Sequence, residues 1–278
     1  GPGTFDMKGG IVQGIFALQA IQALGLECPA TPIWFINSDE EIGSPESQRY
    51  VRMISRTAAR ALILEPGLGQ EGKLKTARKG VGRFRILIHG EAAHSGLDPT
   101  KGASAIQELA NVVQQLHSLT DLERGITVNV GVVRGGTRVN VKAAEAEAEV
   151  DVRVASMDDG DALTRTIRGL TPRTAGTSLE VLGGMQVPPL ERTARNRKLW
   201  EAAWDAGRRL GIELEEGTSG GASDGNTTSQ YAATLDGLGS LGDGAHALHE
   251  HVVTRALPVR AALLAELLLS PITSGDEW

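Results

Sequence analysis

The stretch Ile33-Trp34-Phe35-Ile36-Asn37-Ser38-Asp39-Glu40-Glu41-Ile42-Gly43-Ser44 joins a short apolar run to three consecutive acids and a Gly-Ser turn. Four apolar residues in succession predict a strand that is buried on both faces, as in a parallel sheet. The acids would then lie at the carboxyl end of that strand, where open α/β sheets place their ligand crevices. Because three adjacent carboxylates repel one another, they must be solvated or held by a cation. Taken alone, this stretch favours solvated carboxylates.

Two further carboxylates are predicted to reach the same place. Asp6 lies in the loop before the first predicted helix, where it would also interact favourably with the helix N-terminus. The predicted buried strand 61–64 ends on Glu65. Successive β-α-β units run parallel, so their carboxyl ends share one edge of the sheet. We therefore expect Asp6, Glu40, Glu41 and Glu65 to converge. Four carboxylates in one crevice would be prohibitive without a cation, which predicts a metal site.

A second domain is predicted from the pattern after residue 78. Residues 144–154 alternate apolar and charged side chains, which is typical of a strand with one wet face. With the neighbouring segments, this strand gives the order β-α-β-β-α-β of the split, ferredoxin-like arrangement. The sequence therefore predicts an α/β domain in two parts, residues 1–77 and 187–278, with an inserted α+β domain at 78–186.

Composition excludes several classes of protein. The chain has 278 residues, of which 41% are hydrophobic and 22% charged, as in a soluble globular protein. A net charge of -6 and the absence of a basic run argue against a nucleic-acid partner. No apolar stretch is long enough to span a bilayer, and no signal peptide is visible, so we expect no membrane partner and a cytoplasmic location. The single cysteine, Cys28, excludes an internal disulfide and a cysteine-based zinc site.

Several short motifs occur in a fixed order over nearly the whole chain. They are Gly1-Pro2-Gly3 through Asp6-Met7-Lys8-Gly9-Gly10, Asp39-Glu40-Glu41-Ile42-Gly43-Ser44, Glu65-Pro66, Ala93-His94-Ser95-Gly96, Asn140 with Arg153, Ser223-Asp224-Gly225-Asn226, and Gly244-Ala245-His246 with Glu250. This set resembles the dinuclear zinc peptidases and amidohydrolases that include glutamate carboxypeptidase, aminoacylase and succinyl-diaminopimelate desuccinylase. It is most similar to the glutamate carboxypeptidase-like members. The resemblance implies a zinc-peptidase-like catalytic domain with a mainly parallel sheet and an inserted ferredoxin-like dimerisation, or lid, domain.

The resemblance implies a role for each matched acid. Asp6 would bridge two zinc ions, Glu41 and His246 would complete the protein ligands of one ion, and Glu65 would bind the other. Glu40 would not bind metal but would act as general base on a water at the metal pair. Asp39 would not bind metal but would support the residues that do. Carboxylates and imidazole are good zinc ligands, and two metals share the developing charge of a hydrolytic transition state.

Three residues of the inserted domain carry expectations of a different kind. By resemblance, His94 would stabilise the tetrahedral oxyanion in the active site of a partner subunit. Its alternative interpretation is a turn histidine that caps a backbone group. Asn140 and Arg153 would contact substrate, since arginine is a natural clamp for carboxylates. Because Arg153 lies on the wet face of its strand, an ordinary solvated arginine is the alternative.

One departure from the family stands out. The family carries a His-x-Asp segment upstream of the Asp6 motif, and its histidine is a ligand of the second metal. The chain has 6 histidines, and none precedes Asp6. The second metal position would keep only Asp6 and Glu65, so we expect weak or absent occupancy there in the isolated chain. A chain without the first strands should also expose apolar sheet surface.

Three functions remain open at this point. The resemblance favours a zinc-dependent hydrolase of an amide or peptide bond next to a carboxylate. It would act as a homodimer through residues 78–186 on a small peptide or N-acyl amino acid. One alternative is a non-catalytic or fragmentary family member that serves as a binding or assembly module. Another is a hydrolase that works with a single zinc ion. The ligands do not distinguish zinc from cobalt or manganese, and they do not name the substrate.

Overall fold

A computed structural model, which describes residues 1–271, divides the chain into two units. One unit comprises Gly1–Arg78 together with the chain from Leu190 onward, and the other is Lys79–Pro189. The second unit is thus an insertion within the first. Each unit has its own hydrophobic core.

The elements are numbered here in chain order. The helices are α1 (Gly9–Ala23), α2 (Gln48–Ser55), α3 (Ala105–His117), α4 (Met157–Arg168), α5 (Ala194–Arg209), α6 (Asp224–Thr228) and α7 (Leu257–Leu269). The strands are β1 (Arg60–Leu62), β2 (Leu74–Arg78), β3 (Gly80–His89), β4 (Thr127–Gly135), β5 (Glu145–Val154), β6 (Ser178–Val187), β7 (Glu216–Ser219), β8 (Ala233–Leu235), β9 (Gly242–Asp243) and β10 (His251–Val252). Short 3-10 turns lie at Glu40–Ile42 and Thr254–Ala256.

The inserted unit is a four-stranded antiparallel sheet with the order β4-β5-β3-β6. The alternation in β5 buries its apolar face, because Ala148, Val152 and Val154 have no exposed surface. Helices α3 and α4 supply the other half of this core. Each helix begins at a serine, Ser104 or Ser156, whose hydroxyl accepts a hydrogen bond from a backbone amide of the first turn. The predicted ferredoxin-like order is therefore observed.

Short parallel strand pairs organise the first unit. Strand β1 pairs with β8 and β2 pairs with β7, both in parallel, while β9 and β10 form an antiparallel pair. Helices α5 and α7 cover these strands with a core in which Leu199, Leu235 and Leu263 are fully buried. Glu65 lies in the segment that follows β1, and His246 lies in the loop between β9 and β10.

Ile33–Ile36 is not the buried strand that its four apolar residues predict. Within residues 1–271, no sheet includes this segment. Its side chains are 67%, 38%, 37% and 63% exposed in chain order. A strand needs a hydrogen-bonded neighbour, and a run of apolar residues cannot supply one. Trp34 packs against α1, where its ring lies 3.0 Å from the position that a Cβ at Gly14 would take. None of the described helices is long and apolar enough to cross a membrane.

Candidate metal centre

The start of α1 places Asp6 at the centre of the acidic site. Gly10 lies so close to the chain after β1 that an added Cβ would be 2.2 Å from the carbonyl oxygen of Leu64. Gly239 approaches the same carbonyl, with its added Cβ only 2.1 Å away. No side chain fits at either position. The glycines therefore allow the loop bearing Asp6 to lie beside Glu65, which follows Leu64 directly.

Asp6, Glu41 and His246 form a compact set of potential metal ligands. The Nε2 atom of His246 lies 3.4 Å from Oδ2 of Asp6 and 3.2 Å from Oε2 of Glu41. One ligand atom of each residue lies within 4.8 Å of the other two. Two carboxylates and an imidazole are a donor set that suits zinc and related divalent ions. The structure thus brings three of the predicted metal ligands to one point.

The Glu250 carboxylate holds the loop that carries Asp6. Its Oε1 atom accepts hydrogen bonds from the backbone amides of Phe5 and Asp6, at 2.9 Å and 3.0 Å. Its Oε2 atom accepts one from the amide of Gly3 at 2.6 Å. The hydrogen bonds from these backbone amides keep the pKa of Glu250 below its ordinary value, and the bond from Asp6 has the largest effect. Glu250 is buried and acts on the site through the position of Asp6.

The turn from Asp39 to Ser44 presents Glu40 and Glu41. The Asp39 carboxylate accepts hydrogen bonds from the amides of Glu46 at 2.9 Å and Ser47 at 3.0 Å. Hydrogen bonds from Ser47 and then Glu46 hold its pKa below the ordinary value. Asp39 therefore does not face the ligand set but fixes the turn. This arrangement fits the supporting role that the resemblance implies for it, which stays a proposal.

Asp224 reinforces the same turn from α6. Its carboxylate accepts hydrogen bonds from the Ser44 hydroxyl at 2.6 Å and from the Asn37 side-chain amide at 2.8 Å. Ser44 has a left-handed φ of 54°, which is uncommon outside glycine. The hydrogen bonds from Ser44 and Asn37 thus secure a turn that the local sequence does not favour.

Glu40 and Glu65 are carboxylates whose charged forms are destabilised. Burial raises the pKa of Glu40 to about 7, with further increases from the charges of Asp224, Glu41 and Asp6. Burial also raises the pKa of Glu65 to about 8, with Asp236 as the next cause. A nearby cation would reverse both effects, because it favours the ionised carboxylate.

A buried arginine lies behind Glu65. The Nε and Nη2 atoms of Arg78 donate to the two carboxylate oxygens of Asp236 at 2.7 Å and 3.1 Å. Its Nη1 atom donates to the carbonyl oxygens of Gly221 at 3.0 Å and Ala222 at 3.3 Å. An oxygen of Glu65 lies 3.7 Å from Nη2. Arg78 thereby ties the glycine-rich loop and Glu65 to the buried Asp236.

These groups line one open cavity of about 480 Å³ within the first unit. This volume falls in the range of small-molecule sites. The cavity walls carry carboxylates and two cationic side chains, those of Lys75 and Arg78. The charged or titratable lining residues are Asp6, Glu40, Glu41, Glu65, Lys75, Arg78, Asp243 and His246.

His94, Asn140 and Arg153 belong to the inserted unit. The Nδ1 atom of His94 accepts hydrogen bonds from the backbone amides of Gly96 and Leu97. The Nε2 atom lies 3.3 Å from the Nδ2 atom of the Asn140 side chain. The turn-capping interpretation of His94 thus describes Nδ1 and places Nε2 beside Asn140.

Arg153 is engaged within its own strand. Its guanidinium donates to both carboxylate oxygens of Asp151, at 2.9 Å and 3.1 Å. The Arg153 side chain is 31% exposed. A substrate carboxylate would therefore compete with Asp151 for this arginine.

Sequence reasoning assigned no role to several residues that build the site. Glu250 appears in a motif, four residues after His246, but nothing in that spacing reveals three backbone donors. Arg78 and Asp236 are 158 residues apart, so their pairing follows only from the fold. Lys75 lies between Leu74 and Thr76 on β2, and nothing in that short sequence marks it as buried.

Comparisons with known proteins find similarity to peptidases. The family described as the peptidase dimerisation domain matches residues 76–175. Carboxypeptidase G2 from a Pseudomonas species is 28% identical over 281 residues, which cover 97% of this chain and 66% of that protein. A Schizosaccharomyces pombe protein with a peptidase M20 domain is 33% identical over 160 residues, or 56% of this chain and 39% of that protein.

The chain is similar to peptidases of the M20 family over most of its length. The crystal structure of the aminopeptidase PepT from Bacillus cereus superposes with a TM-score of 0.78 at 21% identity, covering 94% of this chain and 69% of that one. The YXEP protein of Bacillus subtilis, described as a dinuclear metal binding peptidase of the M20 family, gives 0.73 at 18% identity, covering 92% and 69%. These likenesses confirm the predicted fold, a peptidase-like catalytic domain with an inserted dimerisation domain. The chain spans less than two thirds of the length of the curated relatives that it matches.

Proposed function

We propose that the chain is a metal-dependent hydrolase of an amide or peptide bond that lies next to a carboxylate. The observation that carries this proposal is the meeting of Asp6, Glu41 and His246 in one cavity with Glu40. Among soluble proteins, carboxylates and an imidazole in this arrangement are typical of a hydrolytic metal centre. The names of the M20 relatives, which include carboxypeptidases and an aminopeptidase, support the same reaction class.

The residues fit a divalent cation, which we take to be zinc. Asp6, Glu41 and His246 would hold one ion, and Asp6 with Glu65 would contact a second. The raised pKa of Glu65 supports this assignment, because a buried carboxylate next to Asp236 is poorly ionised until a cation approaches. A divalent ion supplies Lewis acidity, which polarises a carbonyl group and lowers the pKa of a water that it binds.

Glu40 is the general base in this proposal. Its carboxylate lines the cavity beside the ligand set without belonging to it. Burial and the neighbouring acids raise its pKa to about 7, which lets Glu40 exchange a proton with its surroundings near neutral pH. It would take a proton from the attacking water and return it to the departing amine. Asp39 would keep Glu40 in place by fixing its turn.

The inserted unit would contribute dimerisation and further substrate contacts. We propose a homodimer through residues 78–186, since the dimerisation-domain family matches most of that range. His94 would donate from Nε2 to the oxyanion, and Asn140 would orient that imidazole or contact substrate. Arg153 would bind a substrate carboxylate in exchange for Asp151. Sedimentation velocity would test the dimer, and a monomer at all concentrations would contradict it.

Chelation and reconstitution test the reaction itself. The chain would be treated with a chelator and then given zinc, cobalt or manganese, and hydrolysis of N-acyl amino acids, dipeptides and glutamyl amides would be followed. We expect hydrolysis of at least one of these classes that disappears with the chelator and returns with metal. Hydrolysis that is indifferent to the chelator contradicts the metal-dependent mechanism. No hydrolysis by the metal-loaded chain favours the alternative of a binding or assembly module.

A further inference from the structure

Lys75 is a buried lysine that the proposed mechanism does not use. It lies on β2 and lines the same cavity as the acidic residues, although only 7% of the residue is exposed. Within residues 1–271, its ammonium makes no hydrogen bond and has no carboxylate within the 4.0 Å of an ion pair. A buried cation that no hydrogen bond or ion pair compensates is unfavourable, and the more distant charges of Asp236, Glu65 and Asp6 offset its burial only in part, so such a group points to a ligand.

An irregularity in β2 turns Lys75 towards the cavity. Side chains along a regular strand alternate between its faces, so Lys75 and Arg78 would point in opposite directions. The register of β2 with β7 shifts between Lys75 and Ala77, as in a β-bulge. Both cations therefore line the cavity.

The Lys75 stem is held in place by packing. Gly237 has a left-handed φ of 76°, and a Cβ added there would lie 3.2 Å from Cγ of Lys75. The glycine leaves room for the lysine stem to pass. A packed stem with an unpaired ammonium is a preorganised donor, which loses little side-chain freedom when it binds.

Arg78, the other cation of the cavity, already uses its donors within the protein. Its donors are directed to Asp236, to the carbonyls of Gly221 and Ala222, and towards Glu65. Of the lysine and arginine side chains that line the cavity in the described part of the chain, Lys75 alone has its donors free.

We propose that Lys75 binds a carboxylate of the substrate inside this cavity and thereby selects substrates with a free acid group. An ammonium offers three donors, which match carboxylate oxygens. The selection matters because the walls are lined with acids, which would otherwise repel an anionic substrate. This inference depends on the proposed function only in placing the substrate in this cavity.

The test compares an acid with its amide. N-acetyl-L-alanine and N-acetyl-L-alaninamide would be titrated into the zinc-loaded chain by calorimetry, for the unmodified protein and for Lys75→Met and Lys75→Arg. Charged hydrogen bonds of this kind are worth about tenfold to hundredfold in affinity. We expect Lys75→Met to weaken acid binding by about that factor and to leave amide binding unchanged. Lys75→Arg should restore part of the acid preference.

Lys73→Met is the matched control. Lys73 lies two residues away, but its ammonium pairs with Glu215 at 2.7 Å and its side chain is 34% exposed. The Lys73→Met change removes the same charge without changing the cavity. This variant should therefore show the same acid preference as the unmodified protein. Zinc content and thermal unfolding of each variant show whether Lys75→Met has disturbed the fold or the metal ligands.

Each remaining outcome is decisive. Equal losses for the acid and the amide in Lys75→Met would mean that Lys75 only supports the cavity, and the proposal fails. Unchanged binding of both, or no acid preference in the unmodified chain, also overturns it. If the acid preference depends on Lys75 but the chain hydrolyses nothing, the proposed reaction fails while this inference stands. If the chain hydrolyses its substrates but shows no acid preference, the proposed reaction stands and the inference about Lys75 fails.

Discussion

Oε1 of Glu250 accepts a hydrogen bond from the backbone amide of Asp6 at 3.0 Å, across 244 residues of sequence. Glu250 also follows His246 in the same loop, so one carboxylate connects the segments that carry two of the proposed metal ligands. The proposed metal centre thus combines residues from the first and last parts of the sequence. The geometry of this centre depends on Glu250, which is not itself a proposed metal ligand.

We predict that Glu250→Gln weakens metal binding although it leaves the ligand set intact. The neutral amide loses one acceptor, so the amides of Gly3, Phe5 and Asp6 cannot all remain paired. Loss of groups that orient a metal ligand typically costs about tenfold to hundredfold in metal affinity. Zinc titration with a competing chelator would measure it. Glu213→Gln, the same change at an exposed glutamate that does not line the cavity, should leave the affinity unchanged, and an equal effect there would contradict the account.

His246→Ala should remove one of the three donors at the first metal position. The Nε2 atom of His246 is the only nitrogen in the set that Asp6 and Glu41 complete. We expect zinc affinity to fall by far more than in Glu250→Gln, with the fold retained because the side chain is 66% exposed. His249→Ala is the control, since that exposed histidine lies outside the set. Equal zinc loss in both variants would show that the assignment of His246 is wrong.

Glu40→Gln should abolish turnover while zinc stays bound. General-base catalysis typically contributes about 10²–10⁴-fold, and glutamine cannot accept the proton. The change removes no ligand of the proposed set, so zinc content should match that of the unmodified chain. Glu46→Gln, which alters an exposed acid on the same turn, is the control. Retained turnover in Glu40→Gln after rigorous purification would exclude Glu40 as the base.

The stability of the metal-free chain should decrease as the pH rises. The pKa values of Glu40 and Glu65 are raised to about 7 and about 8, whereas an unfolded glutamate titrates near about 4.3. Between those limits the folded state holds more protons than the unfolded state, so the free energy of unfolding falls with rising pH. Urea denaturation at about pH 5 and about pH 8 would measure the difference.

Metal binding should reverse that dependence. A cation at Glu65 displaces the proton, so zinc binding near neutral pH should release about one proton per chain. Calorimetry in two buffers with different ionisation enthalpies counts these protons. A metal-free chain that gains stability towards pH 8, or zinc binding that releases no proton, would contradict the raised pKa of Glu65.

Arg78→Met should destabilise the first unit strongly. The change leaves the Asp236 carboxylate buried with no cation, and breaking a buried ion pair in this way costs about 3–5 kcal/mol. Adding Asp236→Asn should recover part of that loss, because the remaining charge is then removed. Chemical denaturation of the two single variants and the double variant would measure the coupling. Strictly additive losses would mean that the pair does not act as a unit.

The inserted unit was largely predictable from sequence. The alternation in β5 fixes which face is buried, and the β-α-β-β-α-β order fixes the sheet. Periodicity reports local burial well when both partners of a core lie in one continuous segment. Residues 105–117 and 157–168 likewise begin at serine caps that can be read from the sequence.

The apolar run 33–36 shows where this reasoning fails. Hydrophobicity predicted burial, but burial requires neighbours, and the described chain supplies only partial cover for Trp34. The acids that follow lie in a 3-10 turn fixed by Asp39 and Asp224, not at a strand end. Asp6, Glu41 and His246 nevertheless meet, as the family resemblance implied. The short motifs were enough to predict that these three residues meet. The cluster of Lys75, Arg78 and Asp236 could not be predicted, because Asp236 is far from the other two in the sequence and meets them only in the fold.

Zinc content per chain tests the central claim most directly. The unmodified chain and Asp6→Asn would be loaded with zinc, dialysed and analysed by mass spectrometry for metal. We predict about one zinc ion per chain or more in the unmodified protein, and little in Asp6→Asn, because Asp6 is shared by both proposed positions. An unmodified chain that retains no zinc, or an Asp6→Asn variant that retains as much, would contradict the metal centre on which the proposed function depends.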